Sequence, residues 1–145
     1  FGYMLYGGMS YIPYDGPQGG ISGGALGIRL YEEFGFRNRW RYGLGAEAFA
    51  NFSPSNGLLG SFVGATLQYD LLPADLNKPQ VRTGPTISGF VAGTEGNSVA
   101  FEWGIDVTLQ FRLGAGASVM YFVPTTYLGS DLGGFGYKVR VSFNW

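Results

Sequence analysis

The sequence predicts an all-β protein, an eight-stranded antiparallel up-and-down transmembrane β-barrel, and three observations carry that expectation. Apolar and polar residues alternate with period two along nearly all of the 145 residues, as strands do when their faces meet different environments. Clusters of Gly, Pro, Asn and Asp cut that pattern into eight segments. The more apolar of the two faces carries more bulk than the interior of eight strands can hold.

The segments run over 1–12, 21–34, 38–52, 58–71, 80–93, 98–112, 115–127 and 135–145, separated by PYDGPQGG, GFRN, SPSNG, LPADLNKP, TEGN, LGA and LGSDLGG. These separators have the composition that turns demand. The first segment opens directly inside the alternating pattern. In the second, Leu26, Ile28 and Leu30 oppose Gly27, Arg29, Tyr31 and Glu33. The third sets Trp40, Tyr42, Leu44, Ala46, Ala48 and Phe52 against Arg39, Arg41, Glu47 and Asn51. The fourth divides Leu59, Val63, Ala65, Leu67 and Tyr69 from Gly60, Phe62, Gly64, Thr66, Gln68 and Asp70. Val81, Ile87 and Val91 oppose Arg82, Thr86 and Ser88 in the fifth. The sixth is the clearest, with Phe101, Trp103, Ile105 and Val107 alternating with Glu102, Gly104, Asp106 and Thr108. The seventh carries Met120 and Phe122 on its inner side. The eighth, ending FGYKVRVSFNW, keeps Phe135, Tyr137, Val139, Val141, Phe143 and Trp145 on one face and Lys138 and Arg140 on the other. Segments this long suit tilted bilayer spans of about 9–11 residues within the hydrocarbon. No second domain or linker interrupts 1–145, and eight hairpin-linked strands can close to remove their edges.

Composition narrows the function classes. Charged residues make up 13%, aromatics 17%, and glycine contributes 26 residues. So many aromatics and so few charges do not suit a disordered chain. A net charge of −1 offers no footprint for nucleic acid, and without Cys there is no disulfide framework. No apolar run approaches the ~18 residues of a spanning helix. An export signal, with its charged and apolar regions, is absent from the opening residues and is expected to have been removed.

The charges decide which face is inside. As the outer surface of a soluble, lipocalin-like carrier, the polar face would fall below the ~25–35% charge that solubility favours. As a lumen, it places Arg29, Arg39, Arg41, Arg82, Arg112, Lys138 and Arg140 among Glu33, Glu47, Asp70, Glu102 and Asp106. Buried charges need such pairing. Lipid then accepts the oily face. Two tensions remain: Glu32 falls on that oily face, and Pro85 removes one ladder hydrogen bond.

With this pattern in place, the chain resembles the small eight-stranded outer-membrane barrels of Gram-negative-type bacteria, the OmpA/OmpX/OmpW-like group. The closing Phe143-Asn-Trp145 is similar to the aromatic-terminated signal read by the barrel-assembly machinery. The resemblance implies a bacterial outer-membrane location with both termini periplasmic. It also implies that 13–20, 53–57, 94–97 and 128–134 face outward. Loops so short depart from relatives whose long loops carry recognition.

Catalysis finds little support. Outer-membrane hydrolases and acyltransferases of similar architecture rely on His, and the sequence has none. Glu102 and Asp106 share a face but lie ~13 Å apart on a strand, beyond the usual glycosidase separation. No metal-ligand spacing occurs, and no cofactor is expected. GLGAEA sits within an alternating strand, so its likeness to a dinucleotide fingerprint is chance. One constellation stands out: Phe49, Phe62, Phe90, Met120 and Phe122, with Ile12, fall near the outward end of the lumen. They form either an aromatic plug over the charged core, the favoured reading, or an apolar pocket for an acyl chain or small hydrophobic solute. No convergent polar group is evident to orient a ligand there. The expected role is a non-enzymatic structural barrel and membrane anchor that packs its wall or turns against a partner in a larger assembly. The alternative is a narrow conduit or binding site for hydrophobic molecules. Trp40, Tyr42, Tyr69, Phe111, Phe143 and Trp145 at one end, and Tyr121 and Tyr127 toward the other, are the expected interfacial girdles.

Overall fold

The computed structural model describes residues 2–13, 21–34, 39–51, 59–72, 79–92, 96–109, 112–127 and 130–145. They form β1 (Gly2–Ile12), β2 (Ile21–Phe34), β3 (Trp40–Asn51), β4 (Leu59–Asp70), β5 (Gln80–Ala92), β6 (Gly96–Thr108), β7 (Leu113–Tyr127) and β8 (Ser130–Asn144). Each strand pairs antiparallel with the next, and β8 returns to β1 from Met4↔Asn144 to Tyr11↔Tyr137. The sheet is a closed barrel. Closure pairs every strand on both sides, which is what hydrocarbon demands of a backbone. The start of β1 and the end of β8 share one rim, here the terminal rim; the opposite one is the far rim.

The alternation sorts side chains by face. On β6, Glu102 and Asp106 are buried while Phe101, Trp103 and Ile105 are exposed. The pattern recurs around the ring: Leu26, Leu44, Val63 and Val141 are each about two-thirds exposed, whereas Arg29, Glu47, Lys138 and Arg140 are no more than 4% exposed. A continuous apolar exterior around an ionic interior is stable only in hydrocarbon. The molecule is a transmembrane β-barrel.

Aromatic contacts cluster toward both rims. Near the terminal rim Tyr3 stacks on Trp145 at 5.5 Å, Phe143 lies 5.3 Å from Trp145, and Trp40 lies 4.8 Å from Tyr69. Toward the far rim Tyr11 stacks on Tyr137 at 5.4 Å, and Tyr121 meets Phe135 at 5.2 Å. Glu32 is indeed exposed on the outer face, but it stands two residues from the end of β2, opposite Tyr42 in this interfacial zone.

Several boundaries differ from the sequence expectation. β8 begins at Ser130 instead of 135, because Thr125↔Leu132 and Tyr127↔Ser130 continue the β7–β8 ladder beyond a one-residue bulge at Val123 and Pro124. SDLGG therefore reads as a turn but folds as strand. β6 begins at Gly96, within the expected outer loop 94–97, and ends at Thr108, not 112. The following turn is closed by Leu109 N–H to Leu113 O (2.7 Å) and Arg112 N–H to Leu109 O (2.9 Å), with Arg112 at φ 67°. That turn precedes the LGA expected to form it. Expectations for Phe1, Phe52, Phe111, the Tyr127 side chain and segments 14–20, 35–38, 53–58, 73–78, 93–95 and 128–129 lie outside the described residues.

Candidate functional site

The lumen contains an ionic core and, above it toward the far rim, an aromatic layer. Strand register assembles both, since their members come from all around the ring.

Glu47 on β3 and Glu102 on β6 flank Lys138 on β8, whose Nζ lies 2.5 Å from Glu47 Oε2 and 3.6 Å from Glu102 Oε2. Tyr6 donates its hydroxyl to the same Glu47 oxygen at 2.8 Å. Glu102 Oε1 also accepts from Arg29 (3.5 Å) and Arg140 (3.3 Å). Arg140 grips Asp106 with both oxygens at 2.7 Å and donates to Ser118 Oγ at 2.5 Å. This is the fork geometry that only a guanidinium supplies. Nearer the terminal rim, Asp70 accepts from Arg41 (3.0 Å) and Arg82 (3.0 Å), and Arg41 also reaches Glu33 at 2.7 Å. Five cations thus meet five carboxylates. Arg29 and Arg82 also lie over the Tyr6 and Tyr31 rings at 5.2 and 5.1 Å.

Glycine makes room for these long side chains. A Cβ at Gly27 would strike the Tyr6 ring, and one at Gly116 would strike the Asp106 carboxylate. Two arginines expected in the lumen lie elsewhere. Arg112 is exposed in the β6–β7 turn. Arg39, just before β3, is half-buried and donates to Tyr69 Oη at 3.2 Å on the outer side. In both cases the alternating pattern of the sequence runs on past the strand end.

Above the ionic core, Phe49, Phe62, Phe90, Phe122, Met120 and Ile12 form one buried cluster with Ala100 and Leu132. Phe62 lies 4.6 Å from Phe90, and Phe90 meets Phe122 edge-on at 5.6 Å. The layers touch where Lys138 Nζ stands 4.8 Å from the Phe62 centroid. An interior cavity at that junction, bordered by Tyr6, Glu47, Phe62 and Lys138, measures about 20 Å³, room for roughly one water.

Sequence reasoning missed Leu132, which was hidden in an expected loop, and Tyr6, whose Glu47 partner is 41 residues away. Both stand on inward positions of their strands, a signal that sorting β1 and an extended β8 would have exposed. Ser118 has no such signal beyond facing inward. Among the described residues no cluster of three His, Cys, Asp or Glu side chains could hold a metal ion.

These features define a closed eight-stranded membrane barrel with an ionic interior and an apolar wall. Solved structures share that fold. Neisserial surface protein A superposes with a TM-score of 0.70 at 12% identity, over 98% of this chain and 95% of that one. Ail, the attachment invasion locus protein of Yersinia pestis, gives 0.54 at 15% identity over 99% and 96%. The outer membrane enzyme PagL gives 0.52 at 10% over 99% of both chains. Neither a family model nor a curated protein matches the sequence.

Proposed function

We propose that the protein is a non-enzymatic structural barrel of the bacterial outer membrane, sealed by a phenylalanine plug over an ion-paired core. The observation that carries this reading is the filling of the lumen, from Phe49, Phe90 and Phe122 through Phe62 and Lys138 to Arg41 and Asp70, with a gap of about 20 Å³ at the junction of the two layers. Mutual packing of the phenylalanines supports a plug over an upper-lumen pocket for hydrophobic solutes. The fold shared with outer-membrane barrels supports the location, and both chain ends, which share one rim, are assigned to the periplasm by resemblance alone. Phe143 and Trp145, exposed side by side near the terminal rim, suit an assembly signal. The exposed outer wall suits an anchor that packs against lipid or a larger assembly.

The absence of His from the sequence and the engagement of the buried Glu47, Asp70, Glu102 and Asp106, and of the more exposed Glu33 near the terminal rim, in ion pairs support a non-catalytic role. Likeness to PagL at 10% identity concerns the fold alone. Planar-bilayer recording tests the seal: no steady ion current is expected, and a sustained current through the wild-type barrel overturns it. Titration with a hydrophobic dye tests the plug, because saturable binding abolished by Phe90→Trp would establish the pocket instead.

A further inference from the structure

Pro85 stands at the middle of β5, where the β4–β5 ladder is interrupted. Pairing holds at Thr66↔Thr86 and at Tyr69↔Thr83, but not at the two positions between. Gly84 approaches the Leu67 carbonyl so closely that no Cβ would fit. On the inner side hydroxyls fill the gap: Thr66 Oγ1 donates to the Pro85 carbonyl at 3.2 Å and accepts from Gln68 Nε2 at 2.7 Å. On the outer side Pro85 stands at the interruption and Ala65, paired with Ile87, just beyond it. Ala65 and Pro85 form the floor of a concavity of about 520 Å³, walled by Leu67, Ile87, Phe101, Trp103, Tyr121 and Phe135. That volume is typical of a small-ligand site.

We propose that this hollow holds one acyl chain of a bilayer lipid. It lies at mid-strand on a wall that meets hydrocarbon, so it is continuous with the lipid interface. The indole on its wall is already satisfied: Trp103 Nε1 donates to Thr83 Oγ1 at 3.0 Å, and that hydroxyl donates to Gly104 O at 2.7 Å. The remaining polar tip on its walls, the Tyr121 hydroxyl, lies toward the far rim, and the floor of Ala65 and Pro85 offers no side-chain group to recognise a headgroup or a peptide backbone. A second copy of the chain fits poorly, since a two-fold contact sets the same patch against itself and two hollows facing one another leave a void. A flexible chain instead gains dispersion contact with floor and walls. The inference rests on the barrel spanning a bilayer and is independent of whether the lumen is sealed.

Trp103 serves as the reporter. The full chain carrying Trp40→Phe and Trp145→Phe is reconstituted in phosphatidylcholine vesicles with brominated acyl chains, then extracted into unbrominated detergent. A held chain keeps Trp103 quenched after extraction, and Ala65→Phe, which fills the hollow from outside, abolishes that residual quenching. Leu26→Phe on the opposite wall leaves it intact. Heat-modifiable gel migration verifies that each variant is folded. Native mass spectrometry of the wild type needs no variant: one retained lipid per barrel is expected, and a bare barrel overturns the proposal. Full recovery of emission in every form also overturns it, as does quenching that survives Ala65→Phe. A detergent-stable dimer dissociated by Ala65→Phe would assign the hollow to a second copy and equally overturn it.

Discussion

Lys138 binds Glu47 at 2.5 Å across the lumen, joining β8 to β3 through the barrel interior and not along the sheet. Both side chains are 2% exposed. Removing one partner of a buried pair leaves the other charge uncompensated, which costs more than the pair contributes. Lys138→Met is expected to destabilise the barrel by about 3–5 kcal/mol, measured by urea unfolding in lipid vesicles. Adding Glu47→Gln should restore most of that loss, since the pair is coupled. A double variant as unstable as the sum of the singles would show that the two side chains act separately.

Arg140 tests geometry where Lys138 tests charge. Its fork engages both Asp106 oxygens and leaves one nitrogen for Ser118 and Glu102. Lysine keeps the charge but cannot reproduce parallel bonds. Arg140→Lys is expected to lose about 1.5–3 kcal/mol, the range for hydrogen bonds to charged groups. An unchanged unfolding midpoint would mean that only net charge matters here.

Orientation of the wall can be tested at Val63, exposed at mid-strand on β4. Val63→Arg places a guanidinium in hydrocarbon and is expected to cost about 2–4 kcal/mol or block insertion. Folding that is unaffected, in bilayers of ordinary thickness, would contradict a lipid-facing β4 wall.

Thr83 supplies the partner for the Trp103 indole N–H. In hydrocarbon no water can replace it. Thr83→Val is nearly isosteric, so its expected loss of about 1–3 kcal/mol is that of an orphaned donor. The paired Thr83→Val/Trp103→Phe variant should be nearer to wild type. Equal stability of the two variants would separate the bond from the stability effect.

The barrel was legible in the sequence because period two survives in every strand, and because only one assignment of faces allows the charges to pair. Individual ends were less legible. SDLGG has turn composition, yet it extends β8, since a bulge at Pro124 brings Leu132 into the aromatic cluster. Arg112 continues the alternation of β6 in sequence but sits past its end, in a turn that contains no glycine among its described residues. Pairings such as Tyr6 with Glu47, or Arg140 with Asp106, depend on closure and on register around the ring. No window of sequence contains that information. The hollow above Pro85 is equally hidden, since its floor and walls come from four strands and from β8.

Both cations of β8 face acids carried by strands that do not pair with it, Glu47 on β3 and Glu102 and Asp106 on β6. Without them, Arg29, Arg41 and Arg82 would be left with four buried carboxylates and with Glu33 at the rim. A seven-stranded arc would therefore be anionic at its centre as well as open along one side. The same strand supplies the closing ladder and the two balancing cations, so charge balance and a finished wall depend on one element. An arc without β8 would thus set an unpaired edge and unpaired carboxylates against oil, and hydrocarbon accepts neither.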